Sequence, residues 1–275
     1  MEIKKIADLT ITQQQKLTQF INKMKQAAQQ EYKLEELAVG ESEQYTYFVA
    51  EAAGEIVGLG VLSQFDPSES EITLVTINDE SIIEKLLTAV LAACQSPMIK
   101  SILVIVEAKD VQQEQVIRQT GFKYAFTELA MILDIEKSAA FTETKLPQEY
   151  EIVPATLADD LTILKFWQPE AETAENIFSE ADILRTFLLK KDGQVLASMR
   201  VDHGKERLGI YGVVVKEEVR GQGLGRLFLA AMINRLKKYQ LPLYLEVEKD
   251  NGSAKHLYQS LGFREIAQFN YFKKE

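Results

Sequence analysis

Residues Arg220-Gly221-Gln222-Gly223-Leu224-Gly225-Arg226 have the types and spacing to hold a diphosphate. Anion binding needs bare backbone N–H groups and nearby positive charge. The glycines let the main chain turn sharply and come close to a ligand, and Arg220 and Arg226 place a guanidinium on either side. If a helix follows, its first N–H groups have no intrahelical partner and carry about half a positive charge. Such a loop is a seat for a pyrophosphate. A turn serving geometry alone would have no need of flanking arginines, least of all in an acidic chain.

The flanking residues supply the elements that must position this loop. Val213, Val214 and Val215 are β-branched and favour a strand before it. Leu224, Leu227, Phe228, Ala231, Met232 and Leu236 recur at helical spacing after it, so a helix with one buried face is expected. Downstream, LYLEVE alternates, with Leu245 and Val247 on one side and Glu246 and Glu248 on the other. From the strand alone, Glu246 is either a site carboxylate or a solvent-facing one. Tyr258 lies two helical turns into a segment that Asn251 or Ser253 could cap.

These blocks carry a family resemblance. VKEEVRGQGLG, Val215 to Gly225, resembles the acyl-coenzyme A signature of the GNAT superfamily of N-acetyltransferases, with Arg220, Gly223 and Gly225 in its fixed places. LEVEKDNGSAKHLYQSLGF, Leu245 to Phe263, is similar to the strand–Asn–helix–Tyr–Gly-Phe block of the same family. The resemblance implies acetyl-CoA as cosubstrate and a primary amine as acceptor, with no metal. It implies that Arg220, Gly221, Gln222, Gly223, Leu224, Gly225 and Arg226 hold the pyrophosphate and that Asn251 meets the pantetheine arm. The backbone of Val213 and Val215 would pair with pantetheine amides like an added strand.

Direct acetyl transfer needs a neutral amine, and an alkyl amine of pKa near 10.4 loses its proton at a cost of about 4–5 kcal/mol at pH 7. In relatives that acetylate protein N-termini, a Glu stands as far before the tyrosine as Glu246 stands before Tyr258; that resemblance makes Glu246 the candidate base. Tyr258 is the candidate partner of the departing thiolate, because a phenol of pKa near 10 can protonate or hydrogen-bond a thiolate of pKa near 8.5. Phe166 to Phe178, FWQPEAETAENIF, stands where the superfamily places its acceptor-binding helices. There Phe166, Trp167 and Phe178 among Glu170, Glu172 and Glu175 either wall a cation pocket or form a solvated acidic loop. Tyr211 joins Phe166 and Trp167 as a candidate acceptor contact.

Composition bounds the rest. The net charge is −10, which argues against nucleic acid. Cys94 is the only cysteine, so no intrachain disulfide forms, and its apolar surroundings mark it as a small core residue. His203 reads as a turn residue and His256 as an exposed helix position. The first residues do not resemble a signal peptide, and no apolar run reaches the ~20 residues of a membrane span. A cytoplasmic enzyme with no membrane partner is expected.

At 275 residues the chain is long enough for two domains, and it repeats itself. VIVEAKDVQQEQVIRQTGF matches LEVEKDNGSAKHLYQSLGF with Gly121 on Gly262, and Gly54 of one hairpin matches Gly193 of another. The expected fold class is therefore α/β, as two tandem GNAT-type domains, each a twisted mixed sheet flanked by helices. Their expected extents are 1–138 and 148–275, joined by a polar linker at 139–147. The first copy lacks the loop: Asn78-Asp79-Glu80-Ser81 runs straight into a helix capped by Ser81, and Asp110 and Ile117 replace Asn251 and Tyr258. It resembles a GNAT fold without its cofactor site. A long helix from Thr12 to about Leu37 opens this copy. Two other readings stay open. One is a dinucleotide-binding βαβ unit, since Glu246 follows Gly225 by about 20 residues; the other is a non-catalytic acyl-CoA sensor.

Overall fold

The computed structural model of the chain describes residues 1–34, 37–42, 44–65, 68–135, 145–166, 168–173 and 178–274. They divide into two compact units: Met1–Leu129 with Glu248–Asp250 and Ile266–Glu275, and Ala130–Val247 with Asn251–Glu265.

The first half of the chain runs β1 (Glu2–Ile6), β2 (Asp8–Leu9), α1 (Ile11–Ala28), β3 (Gly40–Glu41), β4 (Tyr45–Ala52), β5 (Glu55–Ser63), β6 (Glu69–Thr76), α2 (Glu80–Leu91), β7 (Ser101–Glu107), α3 (Val111–Gln119) and β8 (Lys123–Leu133). The strands β1, β4, β5 and β6 pair antiparallel in that order, and β6 pairs parallel to β7. Strand alternation sorts the side chains into two cores. Phe48, Ala50, Leu62, Ile72 and Leu74 join Ile83, Leu86 and Val90 of α2 on one face. Tyr47, Val49, Leu59, Val61 and Val75 join Leu17, Phe20, Ile21 and Met24 of α1 on the other. Cys94 is buried in the first of these cores.

Helix α1 is shorter than its periodicity suggests. It is opened by a Thr10–Gln13 capping box and closed at Gln29, which takes a left-handed conformation (φ 50°). The residues after it turn into unit 1 rather than continuing the helix: Gln30 donates to the Tyr32 hydroxyl (2.9 Å) and to Asp110 (3.2 Å), and Thr73 donates to the Lys33 carbonyl (3.0 Å). Helix α2 also starts earlier than expected. Asp79, not Ser81, is its N-cap, accepting from the Ile82 amide.

The second half runs β9 (Tyr150–Pro154), α4 (Asp160–Leu164), α5 (Glu180–Leu184), β10 (Thr186–Lys191), β11 (Gln194–His203), β12 (Leu208–Val215), α6 (Leu224–Leu236), β13 (Leu243–Glu248), α7 (Gly252–Ser260) and β14 (Arg264–Lys274). β9, β10, β11 and β12 pair antiparallel in order, and β12 pairs parallel to β13. Asp192 and Gly193 turn the β10–β11 hairpin at φ 50° and 76°, and Ala53 and Gly54 turn β4–β5 at 51° and 84°. The last strand belongs to unit 1, where β14 pairs antiparallel with β7 from Phe269↔Glu107 to Lys274↔Ile102.

Helix α6 buries Leu224, Phe228, Leu229, Ala230, Met232, Ile233 and Leu236. Leu227 and Ala231, expected in that stripe, are only half-buried, and Leu229, Ala230 and Ile233 take their place. An apolar helix fits several stripes equally well, so its neighbours decide which one is covered.

Candidate active site

The glycine loop follows a single 3-10 turn, Glu217–Val219, after β12. Gly221 (φ 75°) and Gly223 (φ 80°) are left-handed, a conformation that costs a residue with a Cβ roughly 1–2 kcal/mol. Gly223 is the N-cap of α6, has no side chain to cap it, and is followed by no acidic residue in the first turn. The opening N–H groups of α6 are thus left bare. Gly221, Gln222 and Gly223 are exposed. The flanking arginines are anchored by the chain itself. Arg220 Nε donates to the Val215 carbonyl (2.9 Å). Arg226 donates to Ser260 Oγ, which in turn donates to the Leu257 carbonyl (2.7 Å). Both side chains are therefore held at the loop before any anion arrives.

The strand leading into the loop is open on one side. β12 and β13 hold register only at Leu208↔Leu243 and Gly209↔Tyr244. On its other side β12 stays paired through Ala197↔Val215, across a bulge where Gly212 takes φ 58°. The backbone of Val213 to Val215 thus has a strand along one edge only, among the described residues.

Helix α7, which carries Asn251 and Tyr258, meets the start of α6 through Leu257 and Ser260. Asn251 is the cap, its Oδ1 accepting from the Ala254 amide (3.1 Å); Ser253 is not. Leu257 of α7 lies where a Cβ on Gly225 would touch it at 3.5 Å. Tyr258 is 7% exposed, its ring edge-on to Phe263 at 5.9 Å. Burial pushes its phenol up to about 12. Among the described residues no group hydrogen-bonds that hydroxyl.

A polar cluster occupies one face of the β11–β12–β13 sheet. Tyr211 folds its ring against Gly209, where a Cβ would come within 2.5 Å of the ring. Arg200 lies 5.2 Å from the centre of that ring and pairs with Asp182 (2.9 Å) and Asp202 (3.3 Å). Tyr244, two residues before Glu246, is buried and donates to Glu246 Oε1 at 2.6 Å. The Arg207 guanidinium carbon is 3.6 Å from the centre of the Tyr244 ring. Burial, then the charge of Glu246, pushes the Tyr244 phenol well above its ordinary range, and Arg207 opposes them. Sequence reading missed Tyr244 and Arg207. For Tyr244 a signal was present, since residues i and i+2 of a strand share a face. Arg207 ends a polar turn and had none.

The other candidates are dispersed. Phe166 is half-buried just after α4, and Trp167 and Glu175 lie outside the described residues. Phe178 packs against Ala155, Ile163, Ile183 and Leu188, so it serves a core rather than a pocket wall. Glu170 and Glu172 are exposed. His203 stacks edge-on with Tyr239 (4.7 Å), and His256 is exposed on α7.

The corresponding positions of unit 1 differ. Asp79 places its own carboxylate on the N-terminus of α2, where α6 leaves bare amides. β6 and β7 hold register from Glu69↔Ser101 to Thr73↔Ile105. Just past that point the buried Gln113 donates to the Leu74 carbonyl (3.3 Å), filling the opening with its own side chain. Ala254 stands at the matching position of α7. Asp110 caps α3, and Ile117 is fully buried.

Comparison with known proteins finds a family model for the second half and similar folds for the whole chain. Residues 149–263 match the Acetyltransferase (GNAT) family model. The [ribosomal protein bS18]-alanine N-acetyltransferase of Escherichia coli K12 is 33% identical over 88 residues, covering 31% of this chain and 60% of that protein. A mycothiol acetyltransferase of Kocuria rhizophila is 47% identical over 55 residues, 20% of this chain and 18% of that one. The chain thus spans 60% or less of the length of these curated relatives. A GCN5-related N-acetyltransferase from Sphaerobacter thermophilus superposes with TM-score 0.76 at 13% identity, over 99% of this chain and 95% of its own. A tandem GNAT protein from the clavulanic acid biosynthesis pathway superposes with TM-score 0.71 at 15% identity, over 100% and 98%. Residues 149–263 therefore match the GNAT acetyltransferase family, in a chain whose fold throughout is similar to that of a tandem GNAT protein.

Proposed function

We propose that unit 2 transfers an acetyl group from acetyl-CoA to a primary amine by direct attack, and that unit 1 is a structural copy without a cofactor site. One observation carries the reading: the bare N-terminus of α6, under the glycine loop, opens beside the unpaired edge of β12. The residues fit the cosubstrate. The amides of Gly221 to Gly225 and α6 would take the pyrophosphate, with Arg220 and Arg226 on either side. The backbone of Val213 and Val215, and Asn251, would take the pantetheine arm. Acetyl-CoA supplies the activated acyl group as a thioester.

This chain's own residues handle the protons. The incoming ammonium must lose one, and Glu246, half-buried and held by Tyr244, receives it directly or through water. The departing sulfur gathers negative charge, and the Tyr258 hydroxyl, which has no other partner among the described residues, would donate a hydrogen bond to it. Tyr211 borders the acceptor's approach on the same face as Glu246.

Titration calorimetry with acetyl-CoA tests the assignment of the two units. One site per chain is expected, because Asp79 and Gln113 occupy the matching places of unit 1. Two equivalent sites would overturn it. Thiol release from acetyl-CoA across a panel of amines tests the transferase; binding without turnover of any amine would instead favour an acyl-CoA sensor.

The role of Glu246 shows in pH dependence. Glu246→Gln should slow turnover at neutral pH and recover as pH rises, because an amine of pKa near 10.4 then loses its own proton to solvent. The expected deficit near pH 7 is on the order of 10²-fold. A rate–pH curve parallel to wild type would return Glu246 to a solvent-facing strand carboxylate.

A further inference from the structure

We infer that Arg207 recognises an anionic group carried by the acceptor, so that the substrate is an amine bearing a carboxylate or similar anion. The inference rests on the reading of Glu246 as the residue that meets the amine. Arg118, Arg185 and Arg200 pair with carboxylates, and Arg220, Arg226 and Arg235 donate to carbonyls or a hydroxyl. Arg264 is exposed. Arg207 is different: it is half-buried, yet among the described residues no carboxylate, carbonyl or hydroxyl accepts from its guanidinium. In a chain with 41 acidic and 31 basic residues, an arginine left without a carboxylate is conspicuous.

Its position explains why that matters. The guanidinium carbon lies 3.6 Å from the centre of the Tyr244 ring, a contact that holds the group beside Tyr244, and an arginine's N–H fork suits a bidentate anion. The hydroxyl of the same Tyr244 holds Glu246. One phenol therefore spaces a cationic fork from a carboxylate by about the length of a tyrosine side chain. An amine seated on Glu246, with a carboxylate a few bonds away, would meet both charges with the correct sign. A simple alkyl amine would use only one of them. Hydrogen bonds to charged groups are stronger than those between neutral ones, enough to set a preference among amines.

The test uses the full chain with acetyl-CoA and matched acceptors: α-, β- and γ-amino acids, each beside its carboxamide. For at least one pair, wild type should favour the acid in kcat/KM by on the order of 10- to 100-fold, mainly through KM. Arg207→Met, which keeps an apolar stem over Tyr244, should bring that ratio towards one. Arg207→Lys, which keeps the charge and loses the fork, should fall between them. A second readout does not depend on turnover: calorimetry of acid and amide binding to the coenzyme A-saturated protein should show the same preference and the same loss. Acetylation of amines with no preference for the acid, or an unchanged ratio in Arg207→Met with wild-type circular dichroism, overturns the inference and leaves the transferase intact. Failure of every amine with wild type, alongside tight acetyl-CoA binding, overturns the transferase reading and this inference with it.

Discussion

Gly223→Glu should abolish the stabilisation that acetyl-CoA gives the wild-type protein. A ligand at 100 times its Kd stabilises the folded state by about 2.7 kcal/mol, a rise of several degrees in melting temperature. Gly223 sits where α6 presents its bare amides, and its φ is 80°. A glutamate there acts twice. Its backbone is strained by roughly 1–2 kcal/mol, which lowers the melting temperature of the free protein. Its carboxylate lies at the positive end of the helix and competes for the amides that would hold a diphosphate. Gly223→Ala separates the two effects. Nothing stands within 4 Å of an added Cβ, so alanine brings the strain without the charge. The alanine variant should melt earlier than wild type yet keep most of the ligand shift, and the glutamate variant should lose it. An undiminished shift in a folded Gly223→Glu protein would place the cosubstrate elsewhere.

Tyr258→Phe should lower kcat by on the order of 10²–10³-fold while leaving acetyl-CoA affinity nearly unchanged. The ring is buried against Phe263, and phenylalanine keeps that packing. Only the hydroxyl is lost. With the phenol raised to about 12 by burial, Tyr258 stays protonated at every pH where the enzyme would be assayed. Its proton is always available, and no fall in kcat below pH 10 should come from its ionisation. The same value defines how it acts. Complete transfer to a thiolate of pKa near 8.5 would be uphill by roughly 5 kcal/mol, so the hydroxyl stabilises the sulfur's charge by hydrogen bonding rather than by surrendering its proton outright. Stability follows the same sign. Below pH 10 the phenol is neutral folded or unfolded; from about 10 to about 12 only the unfolded chain ionises there, so its contribution is lost in that window. Wild-type turnover in a folded Tyr258→Phe protein would remove the tyrosine from the chemistry.

Much of this site is written locally in the chain. The left-handed glycines at 221 and 223, the Asn251 cap and the burial of Leu245 and Val247 on one side of β13 each follow from a few neighbouring residues, because φ preferences, caps and strand alternation act within a turn or two. The missing loop of the first copy is equally local: Asp79 both replaces a glycine-rich turn and caps the helix that follows.

Other features depend on residues far apart in sequence, and only the tertiary structure decided them. Helix α1 ends at Ala28, short of the expected Leu37, because the segment after it bonds to Asp110 and Thr73. Gln113 closes the opening of unit 1 because it reaches the carbonyl of Leu74 on another strand. The final strand, part of the second copy in sequence, pairs with β7 of unit 1. The grouping of Arg207, Tyr244 and Glu246 exists because β12 and β13 share register at Gly209 and Tyr244 and then part. A single residue of slip in that pairing would turn every side chain of β13 to the opposite face. Sequence alone settles which residues carry the charges and the bare amides; the register of two parallel strands decides which of them meet.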